Sequence, residues 1–401
     1  MAAEKQVTSE ERYAGKAYEH VITLARTIGG RGSCTLEERQ AAAYGAQQMQ
    51  ELGVGQVRLE PFRAAPSTYR PYALAFIAAL LGTSVAWLGG RMALILAALL
   101  NALGAWAMLA ESDFSGNWTR RLLPRGRSQN AVGVVPAAGK PARRVVLVAH
   151  LDTHRTPIFY SSAAWQRLFS VLVGLAFVSM AVSAVVYLAG AISGWGGVRW
   201  VGLAMAPMEL FALAMSVHAD LTPFSPGAND NASGVGSVLA LAARLVREPL
   251  RHTEVWLLLT GGEEAASYGM AAFLDAHGDE LREAAIINLD QVGMGQVSAP
   301  VPEGLIIRRK PHPELLALAR RVAEAHPELG FREHFGAAYT DAAVAHKRGF
   351  RALSLDAMPA DGPTQVHWHQ MSDTPERVEM EALRDVHLFV REMLQALDSG
   401  E

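Results

Sequence analysis

The chain of 401 residues holds one cysteine, Cys34. That excludes an internal disulfide framework and any zinc site built from thiolates, and it fits a reducing compartment. Charge of either sign is nearly balanced, with 36 basic and 39 acidic residues giving −3, and no basic run stands out. Nucleic acid is therefore not an expected partner. The opening stretch Met-Ala-Ala-Glu-Lys-Gln-Val-Thr-Ser-Glu-Glu-Arg has no apolar core, so a cleaved secretory signal is not expected. Repeats and low-complexity tracts are absent. Charged residues are sparse, 19% against 50% hydrophobic, which is apolar for a soluble enzyme.

That scarcity is concentrated in two blocks. Between Pro71 and Ala110 the only formal charge is Arg91, preceded by Gly89 and Gly90. Two apolar stretches flank this turn, each near the ~20 residues that cross a bilayer core. The second block runs from Leu168 to Ile192 and, after Gly194 to Arg199, from Trp200 to Val217. A soluble core rarely needs so long an uncharged run. Both blocks are read as transmembrane hairpins, about four helices in all. The last limb carries Pro207 and Glu209. An intramembrane carboxylate is costly, so Glu209 is expected to face the bundle interior and pair locally. Arg63, Arg70, Arg120, Arg121, Arg125, Arg127, Arg155 and Arg167 flank the soluble side, against Arg91 and Arg199 on the far loops. That excess predicts an inner-membrane protein with its catalytic part and both termini in the cytoplasm.

The remaining sequence reads as one α/β catalytic domain, made of 1–70, 111–165 and 218–401, interrupted by hairpins at 71–110 and 166–217. Tyr13, Ala17, Val21, Leu24 and Ile28 have helical spacing. Thr35 and Glu38 form a capping box for a second helix ending near Gly53. Val57 to Phe62 alternates like a strand. Asn130 to Val135 and Arg144 to Ala149 read as a strand pair, the second apolar on both faces and so central in a covered sheet. Helices are predicted at 232–246, 264–276, 313–326 and 375–397, with strands at 254–259, 285–289 and 351–355. This alternation implies a mainly parallel mixed sheet with helices on both faces.

Acids and histidines gather where these strands end. His150-Leu-Asp152-Thr-His154 follows one strand, Thr260-Gly-Gly-Glu263-Glu264 another, and Asp290 a third. Asp230 lies in the turn Ser225-Pro-Gly-Ala-Asn-Asp-Asn-Ala-Ser-Gly234, and His367-Trp-His369 precedes Asp373-Thr374. Ligands of open α/β sheets bind beyond the carboxyl ends of strands. Singly, such residues are usually helix caps or hydrogen-bonded structural groups. Together, two histidines and several carboxylates are the mixed nitrogen and oxygen set that zinc accepts.

In these motifs the chain resembles the di-zinc aminopeptidases of the bacterial leucine aminopeptidase type, whose relatives include glutaminyl cyclases and transferrin-receptor-like proteins. The shared pattern is His150-Leu-Asp152, Pro226-Gly-Ala-Asn-Asp230-Asn-Ala-Ser-Gly234, Glu263-Glu264, Asp290, and His369 four residues before Asp373. The resemblance implies two Zn2+ ions, one held by His150 and Asp290, the other by Glu264 and His369, with Asp230 bridging them. It implies that Asp152 orients His150 and that Glu263 is the general base for the attacking water. Other divalent metals suit the same ligands. The family spacing picks His369 over His367, and His154 receives no ligand role. Two departures stand out. The segment from 153 to 229, with the second hairpin, separates Asp152 from Asp230. Thr340-Asp341-Ala-Ala-Val replaces the family's late Ser-Asp-His-like stretch, leaving Asp341 to support the site or contact substrate.

The expected activity is a membrane-anchored zinc aminopeptidase acting on peptide N-termini, with a peptide substrate and a lipid bilayer as partners. One alternative is a single-zinc, glutaminyl-cyclase-like enzyme using Asp230, Glu264 and His369. The other is a non-catalytic membrane protein on a peptidase scaffold, which would be expected to have lost ligands that this chain keeps.

Overall fold

The computed structural model describes residues 8–304, 306–359 and 367–400. The chain falls into two compact units, one made of Met1–Pro66, Gly126–His154 and Phe224–Glu401, the other of Ser67–Arg125 and Arg155–Pro223.

The first unit is built on eight strands: β1 (Gly55–Ala64), β2 (Gly126–Val135), β3 (Arg143–His150), β4 (Thr253–Thr260), β5 (Ala285–Leu289), β6 (Gln296–Glu303), β7 (Arg332–Gly336) and β8 (Arg351–Met358). Their order in the sheet is β1-β2-β4-β3-β5-β8-β6-β7. The centre is parallel, with β3 between β4 and β5 and β5 beside β8. Antiparallel pairs lie outside it: β1 with β2, β2 with β4, and β6 with β8. The expected pairing of β2 with β3 does not occur. β4 inserts between them, because β3 is apolar on both faces and takes a parallel neighbour on each side.

Alternate residues of the central strands face opposite helical layers. Val145, Leu147, Ala149, Leu257 and Ile287 pack with Val238, Leu241, Val386 and Phe389 from the helices Gly234–Leu245 and Met380–Ser399. On the other face Trp256 meets Phe273 edge to face, with ring centroids 6.0 Å apart. Each fully buried large apolar side chain contributes about 1.5–3 kcal/mol relative to exposure. The helix Ser9–Ile22 begins at Thr8 with a reciprocal capping box to Glu11. At the next helix, Leu36–Leu52, Thr35 accepts from Glu38 N, but the Glu38 carboxylate does not return the bond. It turns inward to Cys34 N, Ser128 Oγ and Gly262 N instead. Gly236 lets two helices touch: a Cβ there would lie 2.4 Å from the Ala17 carbonyl oxygen.

The second unit consists mainly of the helices Tyr69–Ala86, Gly90–Ser112, Ala163–Ser193 and Val198–Leu221. The first packs against the second and fourth, and the third packs against the same two, closing a four-helix ring. Three of the four are long and apolar enough to cross a membrane: Gly90–Ser112, Ala163–Ser193 and Val198–Leu221. The remaining limb has 18 residues and opens with Tyr69-Arg70-Pro71-Tyr72, and it falls outside that class. The bundle exposes large apolar side chains, and a few polar groups lie buried among the apolar ones of its interior. Leu88, Met92, Val185, Ile192 and Leu210 are exposed, whereas Thr83, Asn101, Ser183 and Glu209 are buried. Glu209 faces inward as expected, but neither of its oxygens has a hydrogen-bond partner among the described residues.

Candidate metal centre

β3, β4 and β5 run parallel, so their carboxyl ends open on one edge of the sheet. His150 is the last residue of β3 and Asp290 follows β5 directly. Glu263 and Glu264 follow β4 in a loop, and the next helix starts only at Tyr268. The expected helix from 264 is thus shortened, because Ala266 and Ser267 adopt positive φ and hold the acids in a turn.

Asp230 sits in a kink at Ala228–Ser233, where it and Asn231 leave helical backbone angles. Gly227 enters this kink with φ +60, a conformation costly for side-chain-bearing residues. Hydrogen bonds then fix the turn. The Asp373 carboxylate accepts from Asn229 N at 2.7 Å and Asp230 N at 3.1 Å. Asn231 Nδ2 donates to the Leu289 carbonyl at 2.9 Å, tying the turn to β5. Arg31, fully buried, donates to the carbonyls of Pro226 and Gly227 on one side and Leu151 on the other.

The side chains converge around Asp230. Its Oδ1 lies 3.2 Å from His150 Nε2 and its Oδ2 3.0 Å from His369 Nε2. Asp290 Oδ1 stands 3.4 Å from the same His150 nitrogen, and Glu264 Oε2 3.5 Å from the His369 nitrogen. His150, Asp230 and Asp290 form one potential ligand set and His150, Glu263 and Glu264 another. A third set contains His154 with Glu264 and His369. The His154 ring stacks on His369 with centroids 3.7 Å apart and planes 15° apart. His367 turns away and pairs with Ser372 Oγ at 2.8 Å.

Asp152 supports these residues from beneath. Its carboxylate accepts from Glu263 N at 3.0 Å, Glu264 N at 3.2 Å and Ser33 Oγ at 2.5 Å. His150 Nδ1 makes its 3.0 Å contact with the Asp152 backbone carbonyl, and the carboxylate stands 3.8 Å away. Asp341, also buried, accepts from Thr260 Oγ1 at 2.5 Å.

The electrostatics favour a bound cation. Burial and the neighbouring Asp230 and Asp341 charges push the Glu264 and Glu263 carboxyls well above their ordinary values. Burial also raises Asp290, and it raises Asp373 to about 7. Burial pushes Asp230 the same way, but hydrogen bonds from His150 and His369 hold it well below the carboxylate range. Glu264 Oε1 and Asp290 Oδ1 are buried without a hydrogen bond among the described residues. Oxygen and imidazole donors in that state fit zinc. The described residues therefore suit the metal implied by the motifs.

Sequence reasoning did not single out Arg31, and it gave no ligand role to His154, which the fold groups with Glu264 and His369. Arg31 lies far from every motif, so nothing local marked it. His154 offered a signal in its spacing, four residues after His150, but the site that it joins is assembled from distant parts of the chain.

Comparison with known proteins agrees with the motif resemblance. Residues 204–394 match peptidase family M28. That segment contains Asp230, Glu263, Glu264, Asp290 and His369, whereas His150 and Asp152 lie before it. Aminopeptidase YwaD of Bacillus subtilis is 37% identical over 81 residues, a match that spans 20% of this chain and 18% of that protein. The zinc aminopeptidase BSAP of Bacillus subtilis is similar in structure, with TM-score 0.58, 16% identity, and coverage of 98% and 96% of the two chains. A glutaminyl cyclase of Bacteroides thetaiotaomicron gives TM-score 0.55 and 16% identity, covering 98% of each chain. At these identities the structural likeness is one of fold.

Proposed function

We propose that the protein is a membrane-anchored, zinc-dependent aminopeptidase that removes N-terminal residues from peptides. The observation that carries this reading is Asp230. Its two carboxylate oxygens face different histidines, His150 and His369, and a further carboxylate stands beside each. This arrangement supports a bridged pair of ions. His150 and Asp290 would hold one zinc, Glu264 and His369 the other, and Asp230 both. Bound zinc supplies Lewis acidity, lowering the pKa of water and polarising a carbonyl.

The chain's own groups do the rest. Glu263 is buried beside the ligands and has an elevated proton affinity, which suits a group that takes a proton from water and returns it to the leaving amine. Ser267 Oγ lies 3.3 Å from Glu263 Oε1 and steadies it. Asp152 fixes the Glu263-Glu264 peptide and thereby aims both carboxylates. Asp341 borders Glu263 and raises its proton affinity further. The three long apolar helices support membrane anchoring. The arginine asymmetry supports an inner-membrane location with the catalytic unit in the cytoplasm.

A second reading, cyclisation of N-terminal glutamine, draws support from the fold it shares with glutaminyl cyclases. The presence of both His150 and Asp290 beside Asp230 favours two metals and hence the peptidase. The test uses purified full-length protein, stripped by chelator and reloaded with zinc. Two zinc ions per chain by elemental analysis and release of free amino acids from aminoacyl substrates are expected. One zinc with ammonia release from glutaminyl peptides would select the cyclase. Inert zinc-loaded protein on both substrate panels would refute both enzymatic readings.

A further inference from the structure

We propose that the four-helix unit binds a small monovalent metal cation of the sodium class at Glu209. This inference is independent of the peptidase reading. Glu209 lies within Val198–Leu221 and is fully buried. Its two carboxylate oxygens have no hydrogen-bond donor, and no basic side chain pairs with it, among the described residues. A bare carboxylate in such an interior is strongly disfavoured, so Glu209 either carries a proton or is charged and balanced by a cation.

The neighbouring groups suit a metal ion. Gly202 and Glu209 are two helical turns apart and share one face of their helix. Gly202 packs so tightly on Tyr187 that a Cβ would lie 1.7 Å from the phenol oxygen. Tyr187 also lies within electrostatic reach of Glu209, and its hydroxyl donates to Thr83 Oγ1 at 3.2 Å. Ser183, one turn before Tyr187 on the same face of Ala163–Ser193, is fully buried, and its Oγ has no partner among the described residues. The face of one helix that carries Glu209 thus meets the face of the next that carries Ser183 and Tyr187. The available donors are all hard oxygens, which select alkali and alkaline-earth ions over soft metals. A single carboxylate balances one positive charge, whereas a divalent ion would leave the interior with a net charge. The class is therefore monovalent.

The test labels full-length protein in detergent with dicyclohexylcarbodiimide, an apolar reagent for carboxyl groups, at fixed pH and ionic strength. Sodium is exchanged for N-methylglucamine, and the adduct is mapped by mass spectrometry. Glu209 is expected to react in N-methylglucamine. Sodium at ten times its dissociation constant leaves about one site in eleven free, so labelling should slow about tenfold. Sodium should also raise the melting temperature of the wild type but not of Glu209→Gln, whose neutral isostere removes the charge without removing volume. Equal labelling in sodium, lithium, potassium and N-methylglucamine would mean that the carboxyl holds only a proton, and would overturn the proposal. So would absence of labelling together with a cation-independent melting temperature. Aminopeptidase activity assayed on the same samples reports the other site separately.

Discussion

Replacing Arg31 by methionine tests whether the metal centre is held together by one buried guanidinium. Arg31 Nε donates to the Leu151 carbonyl, Nη1 to those of Leu24, Gly29 and Pro226, and Nη2 to that of Gly227, all at 2.8–3.0 Å. Methionine fills much of the same space but donates to none of them. A buried carbonyl left without a donor costs about 1–3 kcal/mol, so five at the low end give about 5 kcal/mol. Water entering the gap and relief of the buried charge return part of this, leaving a loss of about 3–5 kcal/mol. Burial already lowers the Arg31 pKa to about 10, although Asp373, Asp152, Asp230 and Glu264 favour its charge. Lysine has three donors, so Arg31→Lys leaves at least two carbonyls unpaired and should cost about 2 kcal/mol. Calorimetry should find Arg31→Met lowered by about 10 °C, at about 2–4 °C per kcal/mol for a unit of this size. Zinc affinity should fall as well, because the Pro226 and Gly227 carbonyls belong to the turn that carries Asp230. A loss below about 1 kcal/mol, the size of one ordinary hydrogen bond, would refute the reasoning.

Four further outcomes are expected. Glu263→Gln should lower kcat by about 10²–10⁴ with zinc content unchanged, measured by aminoacyl hydrolysis and elemental analysis. His154→Ala should weaken zinc binding about 10–100-fold and alter the absorption of the cobalt-substituted protein; unchanged affinity and spectrum would reduce His154 to a stacking partner of His369. Burial raises the Glu303 carboxyl to about 8, against a value near 4.5 when unfolded. The folded state therefore binds the proton more tightly, and stability falls by about 1.4 kcal/mol per pH unit as pH rises between those values. Glu303→Gln should flatten that slope in denaturation measured across the range. Chelation should destabilise the wild type, since zinc at a thousand times its Kd contributes about 4 kcal/mol, and a melting temperature indifferent to chelator would contradict a tight site.

The parts of the fold readable in the sequence were those with a strong local pattern. β3 and β5 announced themselves as apolar runs because a strand covered on both faces needs no polar alternation. The helix Leu36–Leu52 was bounded by Thr35 and by Gly53, whose left-handed backbone ends it. β6, β7 and the short helix Asp341–Lys347 escaped notice. β6 contains Pro300 and Pro302, and β7, Arg-Glu-His-Phe-Gly, carries polar residues on a half-exposed edge. Neither has the apolar periodicity that marks a strand. The pairing of β2 was misjudged for a different reason. Two strands joined by a short turn usually pair, and only the distant β4, more than 100 residues along the chain, displaces that pairing.

The site was readable to a different depth. Its chemistry lay in short motifs, and His150, Asp230, Glu264, Asp290 and His369 do meet at one edge of the sheet. How they are held could not be read from the motifs. Asp152 was expected to orient His150, and it meets that histidine through its backbone carbonyl while its carboxylate accepts from the Glu263 and Glu264 amides. Asp373 looked like a motif marker and proves to be the acceptor that shapes the Asp230 turn. Residue types announce which atoms can bind a metal, but hydrogen-bond partners depend on which backbone groups the fold leaves unpaired. A carboxylate at a strand end is drawn first to the free amides of the neighbouring loop, because an unmet buried N–H is costly whether or not a metal is near. The acids left over once those amides are satisfied, Glu264 and Asp290 among them, are the ones free to meet a cation.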